Sequence, residues 1–372
     1  MKKELDPWSN QLVTDYGHLF KEFGLQPMPP ALVKKLSEHR LYRRGIVFAM
    51  RDLDKFVAAA EAGKKTGVIT GIKPSSEFHL GSRMTAEQII FLQQRFDTRV
   101  FYAIADVEAY ADNGLSFDES HQNAVDNVAD LLALGLDPDR TFLYKQSQNM
   151  HVANLANIFA RKTTLNTLEA LYGHQNLALY LAVLTQAGDI LAPQLDAFDG
   201  PKHMVVPVGI DQDPHIRFTR DLADKFKDEF GFITPAATFH KFFRALSGET
   251  KMSKRDPMGV MTLNDSPDML KKKLANTLTG GRATAEEQRR LGAEPEKCVV
   301  FELMQYHFYD DDEDLKEMEQ DCRSGKLLCG ECKAIRLKHI QGIYQKHQER
   351  KKKALPKAEK MLEQPIAFKS RK

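Results

Sequence analysis

The sequence predicts an α/β protein with a Rossmann-like doubly wound parallel sheet, a helical insertion and an all-helical C-terminal domain. Two observations predict this fold. Short β-branched runs alternate with helical patterns between residues 66 and 265, which is typical of parallel strands joined by crossover helices. From residue 266 the pattern is almost wholly helical, with glycine breaks such as Gly292 and Gly325.

In chain order, three regions are expected. Residues 1–65 form an appended N-terminal element with a helical pattern near 31–41, residues 66–265 form the catalytic domain, and residues 266–372 form the helical domain. Within the catalytic domain the predicted strands are 68–70, 100–104, 141–144 and 204–209, the predicted helices are 85–94 and 118–134, and the helical insertion is about 150–180.

Composition excludes several classes of protein. With 42% hydrophobic and 28% charged residues, the chain is typical of globular proteins and not of extended disorder. It has no apolar run of about 18 residues, and its charged N-terminus lacks a signal-peptide core, so we expect no membrane partner. The four cysteines lie in one third of the chain, which does not suggest a secreted disulfide framework and favours a reducing, cytoplasmic location.

Charge and cysteine spacing in the last third suggest partners. From residue 333 onward there are 13 Lys/Arg against 3 Asp/Glu. This excess suits a phosphate backbone, although a solvated helix face explains such runs equally well.

Cys329 and Cys332 have CxxC spacing with Cys322 nearby, which invites a zinc or redox interpretation. Because a second ligand pair is missing, we predict no resident metal.

Two separated segments together describe a nucleotide site. The first, residues 74–82, is a turn containing Ser76, His79 and Gly81 that follows a strand ending at Gly71. Glycine lacks the Cβ that would block close approach to a triphosphate, and an imidazole can donate to a phosphate oxygen. An isolated histidine would more often be a satisfied surface or core residue, so the inference depends on the second segment.

The second segment, residues 251–255, reads Lys-Met-Ser-Lys-Arg. Lys251 and Lys254 flank Ser253 in a turn-rich stretch. Mobile ammonium groups there can neutralise the charge that builds on phosphate oxygens as pyrophosphate leaves. Without the histidine turn, the same residues would be interpreted as a charged surface loop.

A third segment, residues 207–215, adds binding groups at the end of a predicted strand. Gly209 lets a ribose lie against the backbone, and Asp211 can accept from a ribose hydroxyl. Gln212 offers a donor and an acceptor to an amino or phosphate group. Asp213, which is followed by proline, also suits simple helix initiation with the aspartate as the cap, and both interpretations can hold at once.

A buried acid is predicted at Asp189, in a largely apolar stretch that begins at Leu177 and includes Gln186. A buried carboxylate without a cation needs strong hydrogen-bond donors. An indole N–H or a phenol O–H would satisfy it, and a substrate lacking that donor would leave the carboxylate unpaired. The alternative is that Asp189 caps the next helix.

The turn at 74–82 and the lysine segment resemble the two signatures of class I aminoacyl-tRNA synthetases, whose short forms read HIGH and KMSKS. Over nearly its whole length the chain resembles the tryptophanyl-tRNA synthetases of the archaeal and eukaryotic cytosolic type. The segments that carry this resemblance, in order, are residues 6–8, 43–46, 51–52, 70–71, 74–76, 209–214, 280–282, 286–287, 324–325 and 330–331.

The resemblance implies specific roles. Catalysis would fall to His79, Lys251, Ser253 and Lys254, and ATP would be bound by Gly71, Ser76, His79, Gly81, Gly209, Asp211, Lys251 and Lys254. The substrate's α-ammonium group would be surrounded by Glu108, Gln186 and Gln212, and its indole N–H would be bound by Asp189. The resemblance also implies Mg²⁺ with the ATP, a homodimer, and a role in binding the tRNA anticodon arm for residues 266–372.

The chain departs from the family pattern at several positions. Ser82 stands in place of the second histidine of HIGH, and Arg255 stands in place of the last serine of KMSKS. Relatives with a eukaryotic pocket carry a Tyr and a Gln that reach the indole nitrogen, whereas this chain has Ile69 and Ala103. The run that contains Asp189 resembles the pocket of bacterial tryptophanyl and of tyrosyl enzymes.

The predicted function is ATP-dependent activation of L-tryptophan to tryptophanyl-adenylate, followed by transfer to the 3′ end of tRNA(Trp). Two alternatives stay open. A tyrosyl-tRNA synthetase would use Asp189 to accept a phenol hydroxyl. A catalytically silent synthetase-like tRNA-binding protein is disfavoured because His79 and both lysines are present.

Overall fold

The computed structural model describes residues 12, 16–252 and 256–363. Its strands are β1 (Gln26–Pro27), β2 (Val47–Arg51), β3 (Thr66–Ile72), β4 (Arg99–Ile104), β5 (Thr141–Lys145), β6 (His203–Gly209) and β7 (Ala236–His240). Its α-helices are α1 (Leu19–Glu22), α2 (Pro30–Lys35), α3 (Arg40–Arg43), α4 (Leu53–Glu61), α5 (Leu80–Phe96), α6 (Asp106–Asn113), α7 (Phe117–Leu134), α8 (Met150–Ala160), α9 (Leu165–Tyr172), α10 (Leu177–Leu191), α11 (Asp213–Lys225), α12 (Lys227–Phe230), α13 (Pro267–Asn276), α14 (Ala285–Leu291), α15 (Val299–Leu303), α16 (Asp312–Arg323) and α17 (Cys329–Met361).

The strands form one sheet in the order β1-β2-β7-β6-β3-β4-β5. The five strands from β7 to β5 are parallel, so the predicted doubly wound α/β fold is confirmed. From β3 the chain adds β4 and β5 on one side, and it then returns to add β6 and β7 on the other side. The strand order therefore reverses between β3 and β6, which is a topological switch point. The structure differs from the predicted all-parallel sheet at one edge, where β2 pairs with β7 and β1 with β2 in antiparallel register.

Both faces of the sheet are covered, and the alternation of side chains along each strand explains how. Val68 and Val100 pack into the core that contains α5 and α7, whereas their neighbours Ile69 and Phe101 pack into a core on the opposite face. Successive residues of a strand point to opposite sides, so strands buried on both faces read as continuous apolar runs. That pattern explains why β3 and β4 were identifiable from the sequence.

Local signals set the helix ends around the site. Ser116 and Glu119 form a reciprocal capping box at the start of α7, which ends at Gly135 with a φ of 111°. The predicted helical insertion is present as α8, α9 and α10 between β5 and β6. The predicted helix at 31–41 is instead the two short helices α2 and α3.

The first and last thirds of the chain contact each other. Arg43 and Arg44 both pair with Asp312, at 2.8 and 2.7 Å, and Arg40 pairs with Asp310 at 2.9 Å. The acidic run that begins at Asp310 therefore docks onto the N-terminal element. This element extends the sheet through β1 and β2, and the boundaries 1–65, 66–265 and 266–372 stay predictions.

The C-terminal region is helical, as predicted, and α17 packs along α7. Not all of its basic side chains are exposed. Lys351 is 6% exposed, and its ammonium lies 2.8 Å from Asp130. That lysine is therefore not available to a phosphate backbone. In the part of the chain that the structure describes, no helix is both long and apolar enough to cross a membrane.

Candidate active site

A cavity of about 350 Å³ opens at the carboxyl ends of β3, β4 and β6, on the switch point between β3 and β6. This position is where open α/β sheets bind ligands, and the volume suits a small-molecule site. The sequence-predicted residues that line it are Gly71, His79, Glu108, Gln186, Asp189, Gly209 and Gln212. Residues from four separate parts of the chain therefore converge on one cavity.

Asp189 is 5% exposed and lies in the last turn of α10, two residues before its end. Its Oδ1 accepts from the Tyr144 hydroxyl at 2.8 Å, and its Oδ2 accepts from Gln146 Nε2 at 2.6 Å. The alternative that it caps the next helix is wrong, because the N-cap of that helix is Leu191 and the Asp189 oxygens bond to Tyr144 and Gln146 instead. Burial raises the pKa of Asp189 to about 7, partly offset by the two hydrogen bonds.

Polar acceptors surround the middle of the cavity. Gln186 Nε2 donates to Gln212 Oε1 at 3.4 Å, so the two amides belong to one network. Glu108 lies 3.7 Å from the Lys73 ammonium, which also pairs with Asp112. Burial raises the pKa of Glu108. Oxygens from a carboxylate and two amides can accept from a substrate ammonium group.

His79 is the N-cap of α5, where its Nδ1 accepts from the Ser82 N–H at 3.2 Å. Because Nδ1 is the acceptor, the proton of the neutral ring lies on Nε2, which is 3.4 Å from Ser82 Oγ. The ring rests on Gly81, where an added Cβ would lie 2.8 Å from the ring Cε1. Helix capping thus gives the imidazole a fixed tautomer with a donor on Nε2.

Two glycines bring backbone to the cavity wall. A Cβ on Gly71 would lie 2.7 Å from the carbonyl oxygen of Ala103, and one on Gly209 would lie 2.7 Å from Asp211 Oδ1. A backbone oxygen cannot yield as a flexible side chain can, so Gly71 is required by the packing of β3 against β4. Ile69 and Ala103 line the same wall.

The lysine segment lies beside this cavity. Lys251 Nζ is 2.8 Å from Asp211 Oδ2 and lies over the Phe242 ring at 5.1 Å from its centroid. Asp211 in turn lies against Gly209 on the cavity wall. Ser253 and Lys254 are outside the described residues, so their placement is not part of this geometry. Lys251 is therefore held near the cavity by Asp211, the carboxylate that the sequence analysis predicts to bind a ribose hydroxyl.

Two other sequence predictions differ from the structure in detail. The structure places Ser75, not Ser76, on the cavity wall, and the Ser76 carbonyl accepts from Asn127 Nδ2 at 3.1 Å. Asp213 makes no capping bond to α11. It instead accepts from Arg51 through both carboxylate oxygens, at 2.8 and 3.0 Å. The bidentate pair explains why the aspartate is buried. The helix does begin here, with Asp213 as its first residue and the proline in its first turn.

Comparison with known proteins decides the family. The family model described as "tRNA synthetases class I (W and Y)" matches residues 61–345. The tryptophan–tRNA ligase of Aeropyrum pernix is 43% identical over 369 residues, which are 98% of this chain and 99% of the relative. The chain belongs to the tryptophan–tRNA ligase family of class I synthetases.

Solved structures of the family agree with this assignment. The crystal structure of tryptophanyl-tRNA synthetase from Aeropyrum pernix matches with a TM-score of 0.89 at 43% identity, covering 94% of this chain and 96% of that one. The tryptophanyl-tRNA synthetase from Giardia lamblia matches with a TM-score of 0.82 at 27% identity, covering 93% and 96%. The architecture is thus shared along almost the whole chain.

Sequence reasoning missed several residues of this synthetase site. Tyr144 and Gln146 hold Asp189, Lys73 holds Glu108, and His215 lines the cavity with its Nδ1 2.9 Å from the Tyr172 hydroxyl. Lys73 lies three residues after the predicted strand 68–70, and Gln146 lies two residues after the predicted strand 141–144. A position just beyond a parallel strand was the available signal. Tyr144 and His215 gave no comparable signal, because their patterns are those of core residues.

Proposed function

We propose that the chain activates L-tryptophan with ATP to form tryptophanyl-adenylate and transfers the aminoacyl group to the 3′-terminal adenosine of tRNA(Trp). One observation carries this proposal. A single cavity is lined by a buried carboxylate, Asp189, by a helix-capping imidazole, His79, and by a strand-end glycine, Gly209. The near full-length similarity to tryptophan–tRNA ligases supports the same substrate.

Asp189 is proposed to accept the indole N–H. Each of its oxygens already accepts one hydrogen bond from a neutral donor, and a carboxylate oxygen can accept a second. Tyr144 and Gln146 thereby orient the carboxylate toward the cavity. Ile69 and Ala103 supply apolar wall and no polar side chain, so recognition of the ring nitrogen falls to Asp189.

The α-ammonium group is proposed to lie among Glu108, Gln186 and Gln212. This placement leaves the substrate carboxylate free to attack the α-phosphorus of ATP, with pyrophosphate as the leaving group. No protein nucleophile is required, since alignment and charge stabilisation suffice for phosphoryl chemistry of this kind.

ATP, entering with Mg²⁺, is proposed to lie along Gly71, Gly81 and Gly209, with His79 Nε2 donating to a phosphate oxygen. Lys251, Ser253 and Lys254 would hold the phosphates. Lys251 is now paired with Asp211. When the ammonium moves to the phosphates, Asp211 is released to accept from the ribose. Ser76 is the weakest member of the proposed set, because Ser75 occupies the wall.

The C-terminal helices are proposed to bind the anticodon arm of tRNA(Trp), and the protein is proposed to be a cytoplasmic homodimer. The exposed basic residues of α17 support the first point. Salt dependence of tRNA affinity tests it, and sedimentation equilibrium tests the dimer. A salt-independent affinity would contradict a phosphate-dominated contact.

Pyrophosphate exchange with each amino acid separately tests the central proposal. We expect exchange with tryptophan and little with tyrosine. Faster exchange with tyrosine would reassign the pocket to a phenol hydroxyl, and no exchange with any amino acid would indicate a silent tRNA-binding protein. Lys251→Ala should slow adenylate formation in single turnovers while tryptophan affinity stays unchanged, with the exposed Lys227→Ala as the matched control.

A further inference from the structure

The contacts proposed for tryptophan and ATP leave one charged side chain of the substrate cavity unused, Lys73. Among the described residues that line this cavity, Lys73 is the only lysine or arginine. The same wall carries two carboxylates, Glu108 and Asp189. An amino acid bound there adds a carboxylate of its own, and a carboxylate removed from water needs a cation or strong hydrogen-bond donors. Lys73 is therefore the candidate partner for the anionic end of the substrate.

The backbone that carries Lys73 is held at the carboxyl end of β3. Lys73 follows Ile72, the last residue of that strand, whose carbonyl accepts from the Ala105 N–H at 2.9 Å. The Lys73 carbonyl accepts from the Ser75 N–H at 2.8 Å, and the proline at position 74 favours an extended conformation for Lys73. The side chain therefore starts from a fixed point at the strand ends, where parallel sheets bind their ligands.

Two carboxylates of α6 pair with the Lys73 ammonium. Glu108 and Asp112 are four residues apart and therefore share one face of the helix. Lys73 Nζ pairs more closely with Asp112, and Glu108 Oε1 lies 3.7 Å from it. All three side chains are partly buried, with between 17% and 26% of each exposed, so water screens these charges only in part. Lys73 can keep its pair with Asp112 while Glu108 binds another cation.

A bound amino acid brings its own charges to this group. Its ammonium and carboxylate are attached to the same carbon atom, so an ammonium at Glu108 places the carboxylate close to the ammonium of Lys73. Each cation then has anions as neighbours. The substrate ammonium lies at Glu108, and Lys73 lies between Asp112 and the substrate carboxylate. Charge-assisted hydrogen bonds of this kind are shorter and stronger than neutral ones.

We propose that Lys73 binds one oxygen of the substrate α-carboxylate while the other oxygen attacks the α-phosphorus of ATP. The attacking oxygen forms a bond to phosphorus, and the bond from that phosphorus to the pyrophosphate oxygen breaks. The ammonium of Lys73 offsets the repulsion between the carboxylate and the negatively charged triphosphate that it must approach. This inference rests on the proposed activation of an amino acid, but it does not depend on which side chain the substrate carries.

A purely local role for Lys73 makes a different prediction. Burial raises the pKa of Glu108, and the charge of Lys73 opposes that rise. If Lys73 served only to keep Glu108 ionised, its loss would weaken every ligand that carries the ammonium group, with or without a carboxylate. Tryptamine, which is tryptophan without its carboxylate, separates the two roles.

Calorimetric titration of the full-length protein with L-tryptophan and with tryptamine tests the proposal. We expect Lys73→Met, which removes the charge and keeps an unbranched side chain, to weaken tryptophan binding about 10- to 100-fold, since a hydrogen bond to a charged group is lost. Tryptamine affinity should be unchanged, which would also show that the variant is folded. Lys73→Arg should keep the preference for tryptophan. Lys64→Met, the same substitution at an exposed lysine before β3, should leave both affinities unchanged.

Equal losses for both ligands, in a variant whose urea denaturation matches that of the wild type, overturn the inference, and so does an unchanged affinity for tryptophan. A second measurement needs no variant, because the wild type should bind tryptophan more tightly than tryptamine, and equal affinities also overturn the inference.

Pyrophosphate exchange by the wild type keeps this result separate from the proposed function. If the wild type exchanges with tryptophan while Lys73→Met loses both ligands equally, the function stands and the role of Lys73 is wrong. If the wild type exchanges with tyrosine instead, the proposed substrate is wrong, and a loss by Lys73→Met that is confined to tyrosine and spares tyramine supports the role of Lys73. No exchange with any amino acid overturns both proposals.

Discussion

Two buried aspartates, one in the substrate cavity and one between α7 and α17, satisfy their charge in different ways. Asp130 is fully buried and accepts from two basic side chains, His347 at 2.7 Å and Lys351 at 2.8 Å. Asp189 is nearly as buried, but the donors that it meets among the described residues, Tyr144 and Gln146, are neutral. The first carboxylate therefore has cationic partners, as in a structural ion pair, and the second has neutral ones.

This difference separates a residue that holds the fold from one that is available to a ligand. A buried carboxylate that faces cations is compensated within the protein, so that removing it leaves unpaired charge. A buried carboxylate that faces neutral donors keeps its affinity for a further donor, and its pKa moves toward neutrality. Four predictions test the contrast, from the largest expected effect to the smallest.

Asp130→Ala is expected to lower the free energy of unfolding by about 3–5 kcal/mol, because it leaves His347 and Lys351 buried without their shared carboxylate. Lys351 keeps a second partner in Asp126, at 2.7 Å, which places the loss toward the lower end. Urea denaturation measures the loss, and pyrophosphate exchange at low temperature should be near normal. A loss of activity without a loss of stability would reverse the roles assigned to the two aspartates.

Asp189→Asn is expected to lower kcat/KM for tryptophan about 10- to 100-fold, since a hydrogen bond to a charged group contributes about 1.5–3 kcal/mol. KM for ATP should be unchanged, because Asp189 is bonded to Tyr144 and Gln146 at the end of β5, whereas Lys251 pairs with Asp211 beyond the end of β6. Steady-state kinetics measure both constants, with the exposed Asp196→Asn as the control. An equal loss for tryptophan and ATP would mean that the substitution perturbs the whole cavity.

Particular residues show how far the sequence alone could predict this arrangement. Asp189 was identifiable because an acid interrupts an apolar run, but its partner Tyr144 lies 45 positions upstream and looks like a core residue. Nothing local in the sequence marks Asp310 as the partner of Arg40, which lies 270 positions upstream. Local pattern predicts elements and single groups well, whereas the pairing of distant charges depends on the packing of elements.

The strand β7 was not predicted from the sequence, for a related reason. The central strands β3 and β4 are buried on both faces and were evident as apolar runs. In contrast, β7 is a short run that contains Thr238 and His240, and its place in the sheet depends on its neighbours β2 and β6. The cysteines follow the same rule, because only the packing of α15 and α16 brings Cys298 and Cys322 to the small cavity that Cys329 and Cys332 line.

The pH dependence of stability sharpens the comparison. The pKa of Asp189 is about 7 in the folded protein, well above the ordinary value of an aspartate carboxyl, because the group is buried. The folded state therefore binds the Asp189 proton more tightly than the unfolded state does. The stability that this protonation gives is fully present below the pKa of aspartate in the unfolded chain, and it is lost as the pH rises to about 7. Wild-type protein should lose up to about 1.4 kcal/mol per pH unit over that interval relative to Asp189→Asn.

Urea titrations of both proteins at several pH values measure this difference. The same comparison with Asp196→Asn controls for the general effect of removing an acid from the chain. Parallel stability curves for wild type and Asp189→Asn would show that Asp189 is ionised throughout, as a carboxylate with cationic partners would be.

The smallest effect is expected at a third aspartate close to the same interface. Asp139 pairs with Lys357 of α17 at 3.6 Å, but the two side chains are 89% and 51% exposed. Water screens such a pair, so Asp139→Ala should change the free energy of unfolding by no more than about 1 kcal/mol, and added salt should remove the change. Because Asp130 and Asp139 both face cations on α17, the two variants differ chiefly in burial. A urea denaturation in which Asp139→Ala lowers the free energy of unfolding as much as Asp130→Ala does would contradict this expectation. That result would mean that a cationic partner, and not burial, determines how much each aspartate stabilises the fold.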